Sequence, residues 1–378
     1  MPGKTVLILG GGIGGHVAAN QLRKKLDKEH KILLIDKNTK YVFAPSLLWL
    51  MLGWRKPNQI SKDLSLLNKK NIEYINAEVT AIDPKNKIVK TSARDIFYEY
   101  LIVALGADLA PEAVPGFSEI AYNLYDLDGV VKLNEALKNF SSGTVAIMVC
   151  SMPFKCPGAP YETAFLLDYF FKKKGIGNKV NLRIFTAEPR PLPVAGPVIG
   201  NAITQLLKNR EIDFNPNFKP ILIDPAKKEI IFENGKKENF DLLIGIPPHR
   251  SPKVVRESGL IDKTGWIPVD PKTLKTQFEG VYAIGDVTAI KLVSGKMLPK
   301  AGVFAHGEAE VVAQNIAAEI RGVVAEKKFD GWGSCFLEFG YGKAGYASGN
   351  FFAEPEPEVK MRKPRRFWHW GRFLFEKY

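Results

Sequence analysis

Short, largely apolar runs recur along the chain and stop at turn or polar residues: Thr5–Leu9 before Gly10, 31–35 before Asp36, 98–105 before Gly106, 144–149 before Cys150, and 281–284 before Gly285. Each reads as a strand. The segments that follow change period. Residues 16–26 and 161–171 carry the apolar spacing of amphipathic helices, and a further helix is entered through 298–303 and continues to about 321. Pro160 stands at a favoured first-turn position of the middle helix, and Gly175 lies past its end. Strands alternating with helices predict an α/β fold. A chain of 378 residues exceeds one ordinary domain of about 100–200 residues, so two domains are expected.

The first strand runs into Gly10-Gly11-Gly12-Ile13-Gly14-Gly15 and then a helix. In that context Gly10, Gly12 and Gly15 match the dinucleotide fingerprint: a tight turn, backbone approach to a pyrophosphate, and close packing of the helix, whose N-terminus faces the phosphates. Asp36 ends the second strand about twenty residues further on, where a carboxylate accepts ribose hydroxyls.

Two other segments, 98–106 closing on Gly106 and 280–286 closing on Gly285-Asp286, resemble the paired FAD signatures of the two-dinucleotide-binding-domain flavoproteins, the family of disulfide reductases and NADH:quinone reductases. The resemblance implies two Rossmann-like dinucleotide-binding domains. It places an FAD domain at 1–108 and 251–325, a second domain at 109–250, and a C-terminal redox and membrane-interface region at 326–378. Asp286 corresponds to the family's ribityl-chain ligand, and Pro45 and Gly106 join the residues expected around FAD. Residues 298–303 resemble the family's Pro-Lys-Thr-Gly turn, whose helix N-terminus points at the flavin. Lys300 is then either a positive group near flavin or quinone or a solvated lysine, Gly302 opens the helix, and His306 reads as an ordinary helix residue. Some relatives attach FAD through an extra cysteine; none stands in 41–46 or 122–126, so non-covalent FAD is expected.

In members that use a pyridine nucleotide, the middle strand leads to a second Gly-rich turn. Here it leads to Cys150-Ser151-Met152-Pro153-Phe154-Lys155-Cys156-Pro157-Gly158-Ala159-Pro160. Prolines and bulky side chains occupy the place where glycines must let the backbone approach a pyrophosphate, so no usable NADH site is expected. Cys156-Pro157-Gly158 followed by Tyr161-Glu162 resembles the cysteine segment of sulfide:quinone oxidoreductases and of the flavoprotein subunit of flavocytochrome c sulfide dehydrogenase. Cys335, beyond the Gly-Asp signature, fits the second cysteine of that family. The resemblance spans most of the chain and implies oxidation of sulfide through a Cys156/Cys335 pair, with FAD passing electrons to a membrane quinone. Taken singly, each cysteine also reads as a packed thiol, and three are too few for a disulfide framework or a four-ligand zinc site. Glu162 has two readings, a first-turn carboxylate favoured by the helix dipole and a proton acceptor near sulfur. A sulfur-site histidine found in some relatives is not present in 188–197.

The net charge of +13 favours anionic surroundings without choosing among them. The tail from Lys360 narrows the choice: Arg362, Lys363, Arg365, Arg366 and Arg372 are interleaved with Phe367, Trp368, Trp370, Phe373 and Phe375. Bases among aromatic rings suit the headgroup boundary of a bilayer, and no nucleic-acid fold precedes them. No run approaches the roughly 18 apolar residues of a spanning helix, and residues 1–4 lead directly into a strand with no separate targeting stretch. The reading is a peripheral protein on the cytoplasmic side of the membrane, its tail separable from the folded FAD domain; whether it forms a homo-oligomer stays open. Its rivals are an NAD(P)H-dependent persulfide, disulfide or quinone reductase of the same fold, and the flavoprotein subunit of an electron-transfer complex.

Overall fold

The computed structural model describes residues 3–377. In chain order the elements that position the functional groups are β1 (Thr5–Leu9), α1 (Ile13–Lys25), β2 (Lys31–Asp36), β3 (Glu73–Asn76), β4 (Tyr100–Val103), β5 (Tyr122–Asn123), β6 (Gly143–Val149), α2 (Ala159–Lys173), β7 (Val180–Thr186), β8 (Asp213–Pro216), β9 (Leu242–Ile246) and β10 (Val281–Ala283). They are followed by α3 (Gly302–Ile320), β11 (Trp332–Glu338), β12 (Ala344–Asn350), β13 (Glu358–Arg365) and α4 (Arg366–Lys377). The chain divides into two compact units. One holds Met1–Tyr41, Lys62–Asp108 and Arg250–Gly333; the other holds Val42–Ser61, Leu109–His249 and Ser334–Tyr378.

The first unit is built on a parallel sheet in the order β10-β4-β1-β2-β3. Its central strands are apolar on both faces because both faces are covered; Leu7, Leu9, Leu33, Ile35, Leu101, Val103, Val281 and Ala283 share one buried cluster. Helix α1 begins at Ile13, earlier than residue 16, and packs against α3. Gly302 permits that packing, since a Cβ there would strike the Ile13 side chain.

The second unit repeats the plan with a parallel sheet in the order β5-β9-β6-β7-β8. Val145, Ile147 and Val149 of β6 and Phe165 and Leu166 of α2 are fully buried in its larger core. Burying a side chain of this size stabilises the fold by about 1.5–3 kcal/mol. A three-stranded sheet, β11-β12-β13, and helix α4 complete the C-terminal part, with β12 and β13 antiparallel. Among the described residues, no helix is long and apolar enough to cross a membrane.

Candidate functional site

The first cluster lies in the first unit, at the turn between β1 and α1. Gly10 takes a φ of +99° that only glycine adopts freely, and its N–H donates to the Ile35 carbonyl at 2.8 Å. A Cβ on Gly15 would collide with the Gly10 carbonyl oxygen, whereas one on Gly12 would point into open space. Protein atoms therefore demand glycine at 10 and 15, while glycine at 12 has a purpose only if something else approaches the backbone. Helix α1 has no side-chain cap and no acid in its first turn, which leaves its N-terminal amides for an anion. The half-buried Asp36 carboxylate accepts the Gly11 N–H at 2.6 Å and the Asn38 N–H at 2.7 Å. Gly10, Gly12, Gly15 and Asp36 fit the pyrophosphate and ribose of FAD.

The other cofactor signatures fall in the same unit. Gly106 has a φ of +68° and space around it, and Asp286 sits in the short helical turn Gly285–Val287 after β10. Lys300 is not a solvated lysine. It is buried, its Nζ donates to the carbonyls of Asp286 at 2.6 Å and Thr288 at 3.1 Å, and it lies 3.4 Å from the Trp266 ring centre. Burial lowers its pKa to about 8 against the pull of Asp286 and Glu308. Glu308, fully buried, accepts the Gly285 N–H at 2.6 Å, and burial pushes its pKa up to about 7. His306 lies on the exposed face of α3, 3.5 Å from Glu310.

The second cluster lies within the second unit. Cys156 is half-buried with a φ of +51°, an unfavourable conformation for a residue with a Cβ, and its carbonyl accepts the Tyr125 hydroxyl and the Ala159 N–H, both at 3.0 Å. Gly158 then caps α2, and Pro160 and Glu162 fall in its first turn. Cys335 reaches solvent, yet the protein packed around its sulfur raises the thiol pKa; Cys156 and Glu162 push the same way and Arg372 opposes them. Those interactions put Cys156, Glu162 and Arg372 within electrostatic reach of Cys335. Cys150 is separate: it is packed with Phe117 and Phe185, and burial alone raises its thiol pKa. All three cysteines are unbridged.

Glu162 is fully buried. One of its oxygens accepts the Glu338 N–H at 2.8 Å and a hydrogen bond from Arg372 Nη1. Burial raises its pKa, while Arg372 and the Glu338 amide pull it back. Arg372 is itself buried; its Nη2 donates to the Pro45 carbonyl at 3.1 Å, and its guanidinium lies 5.3 Å from the Trp49 ring centre. Pro45, expected at FAD, thus falls in the unit that holds the cysteines, in the turn Ala44–Ser46.

Sequence reasoning missed Arg372, Glu338 and His369, and it treated the tail as separable. Helix α4 instead packs one stripe inward. His369 Nδ1 lies 2.9 Å from a Glu338 oxygen, Arg372 pairs with Glu162, Phe373 lies near Trp49, and Glu376 binds Arg55 and Ser46. These residues recur at 369, 372, 373 and 376, the spacing of one helical face; Phe367, Trp370 and Leu374 on the other face are exposed. That separation of polar from apolar positions was the available signal. Arg372, read with the lipid-facing bases, belongs to the buried side because Glu162 and Glu338 leave two carboxylates there to be neutralised.

A family model for pyridine nucleotide-disulphide oxidoreductases matches residues 4–309. The chain is similar to the sulfide-quinone reductase of Aquifex aeolicus, 30% identical over 397 residues covering 99% of this chain and 90% of that protein. It is also similar to the mitochondrial sulfide:quinone oxidoreductase of Mus musculus, 27% identical over 375 residues covering 93% and 79%. The crystal structure of the Aquifex aeolicus sulfide:quinone oxidoreductase superposes with a TM-score of 0.88 at 27% identity, covering 99% of this chain and 90% of that one.

Proposed function

Since this chain belongs to the pyridine nucleotide-disulphide oxidoreductases, and among them to the sulfide:quinone oxidoreductases, it is an FAD-dependent enzyme, and we propose that it oxidises sulfide through Cys156 and Cys335 for a membrane quinone. The observation that carries the reading is the cluster of both cysteines, Glu162 and Arg372 around one point of the second unit. Hydrosulfide gives up one proton and two electrons in becoming sulfane sulfur held by the cysteines. FAD, held without a covalent link, would supply the two-electron acceptor between sulfur and quinone. Gly10, Gly12 and Gly15 would hold its pyrophosphate, Asp36 and Asp286 its hydroxyls, and Gly106, Lys300 and Gly302 would complete the set around it.

The roles of the chain's own residues follow from their surroundings. Cys156 sits in a strained turn just before α2, and Cys335 is the cysteine whose residue is exposed. Glu162, buried beside Arg372, takes the proton of the incoming hydrosulfide. The exposed Phe367, Trp370 and Leu374, with Arg362, Lys363, Arg365 and Arg366 beside them, suit peripheral contact with anionic lipid on the cytoplasmic side of the membrane. A pyridine nucleotide as electron donor is disfavoured by the long loop 150–158 and by Glu188 past β7, whose carboxylate is occupied by the Tyr161 hydroxyl at 2.5 Å.

Anaerobic addition of sulfide and then of a quinone, followed by flavin absorbance, tests the proposal. Sulfide bleaches the wild type and quinone restores the colour. Cys156→Ser and Cys335→Ser each lose bleaching by about a hundredfold or more while keeping FAD; bleaching at the wild-type rate in either overturns the cysteine mechanism.

A further inference from the structure

Glu162, Glu338, Arg372 and His369 form one buried cluster drawn from α2, β11 and α4. Arg372 is shared, its Nη1 on Glu162 and its Nε 3.9 Å from Glu338, while His369 Nδ1 lies 2.9 and 3.1 Å from the two Glu338 oxygens. The side chains of Glu162, Glu338 and Arg372 are 2%, 1% and 8% exposed, but that of His369 is 26% exposed, so one member alone meets water. Facing Glu162 are Arg372, Glu338 and Cys335; facing His369 are Glu338 and the edge of the Trp49 ring.

Charge balance limits how this cluster titrates. Arginine stays protonated, so two ionised carboxylates and a neutral histidine leave one net negative charge under cover. A single proton restores neutrality. A proton arriving at Glu162 releases Arg372 toward Glu338 and so weakens the hold of Glu338 on His369. The imidazole then gives its proton to solvent. No proton has to cross the guanidinium; it enters at one end and another leaves at the other.

We propose that His369 is the proton exit of the sulfur site, discharging to solvent the equivalent of each proton that Glu162 takes from hydrosulfide. This rests on Glu162 acting as the base. His369 touches no substrate and acts through Glu338 and Arg372, so it is a positioning residue whose titration matters.

The test is anaerobic stopped-flow reduction of the holoenzyme by sulfide across pH 5.5–9, with a pH-indicator dye reporting proton release alongside flavin bleaching. In His369→Gln, which keeps a donor for Glu338 but cannot titrate, bleaching is expected to slow by about tenfold or more and to run ahead of proton release. Should that variant shed FAD, His369→Ala with added imidazole replaces it, and rescue of the rate by imidazole is the expected result. Wild-type rate, pH profile and proton release in His369→Gln, or no rescue of FAD-replete His369→Ala, overturn the proposal while leaving Glu162 its role if Glu162→Gln is slow. A wild-type rate in Glu162→Gln overturns the base assignment and this inference with it.

Discussion

The molecule makes the same strand–turn–helix crossing twice and uses it for different chemistry. In the first unit β1 and α1 are joined by Gly10–Gly12 alone, and the acid ending β2, Asp36, is half-buried with lone pairs to spare. In the second unit β6 and α2 are joined by 150–158, which carries Cys156, and the acid after β7, Glu188, is buried and held by Tyr161 and Thr186. Both crossings rest on parallel sheets of similar design, so the scaffold leaves the ligand open. What decides it is whether backbone amides are left bare at the helix N-terminus. At the second crossing the Ala159 and Tyr161 amides donate to the carbonyls of Cys156 and Gly158, Pro160 has no N–H, and a buried carboxylate, Glu162, stands in the first turn of the helix.

The comparison breaks most visibly at the two loop glycines. Gly12→Val should fold, since its φ of −68° suits any residue and a Cβ meets nothing, yet lose FAD by at least about a hundredfold, ~3 kcal/mol. Gly158→Ala, whose Cβ would meet only ordinary contacts at 3.7 Å, should bind FAD as the wild type does. Equilibrium titration of the apoproteins with FAD checks both; full FAD affinity in Gly12→Val would mean that the cofactor does not approach there.

The acids offer a finer distinction. Burial raises the Glu188 pKa from 4.5 to about 7, so between those values the folded chain holds a proton that the unfolded chain has lost. Its contribution to stability is therefore present below pH 4.5 and declines as pH rises toward about 7, by about 3 kcal/mol in all. Glu188→Gln keeps an acceptor for Tyr161 and should flatten that part of the stability profile in denaturant melts from pH 4.5 to 7.5; an unchanged slope counts against the buried pair. Smallest is Asp36→Asn, expected to weaken FAD binding about tenfold, ~1.4 kcal/mol, because an amide accepts ribose hydroxyls less well than a carboxylate. Glu188→Gln should leave FAD affinity alone, and a matching loss there would erase the distinction between the two acids.

Helix α4 shows a different kind of division. Its outer face is the lipid-compatible surface read from the tail, while its inner face supplies Arg372 and His369 to the second unit. Deleting the tail should therefore stop sulfide from bleaching the flavin, rather than impair delivery to quinone alone, because it strips Glu162 and Glu338 of their cations.

Features that depend on neighbours along the chain are legible in the order of residues. Gly10, Gly12 and Gly15 announce their turn because each is needed within a few residues, and Asp36 follows from the length of one helix and one strand. The loss of the second glycine turn is visible in Pro153, Pro157 and Pro160, and the apolar runs mark the buried strands because a parallel sheet is covered on both faces. Only the tertiary structure decided which of the tail's bases turns inward. Glu162 and Arg372 are 210 residues apart, and although the pattern of α4 marks one polar face, nothing local names the carboxylates of α2 and β11 that meet it. The same holds for Lys300, solvated or buried according to Trp266 and Asp286, and for Glu188, whose charge is suppressed by burial beside a tyrosine from the preceding helix. The physical reason is common to all three: the charge of a buried group is set by partners that the fold brings from far along the chain.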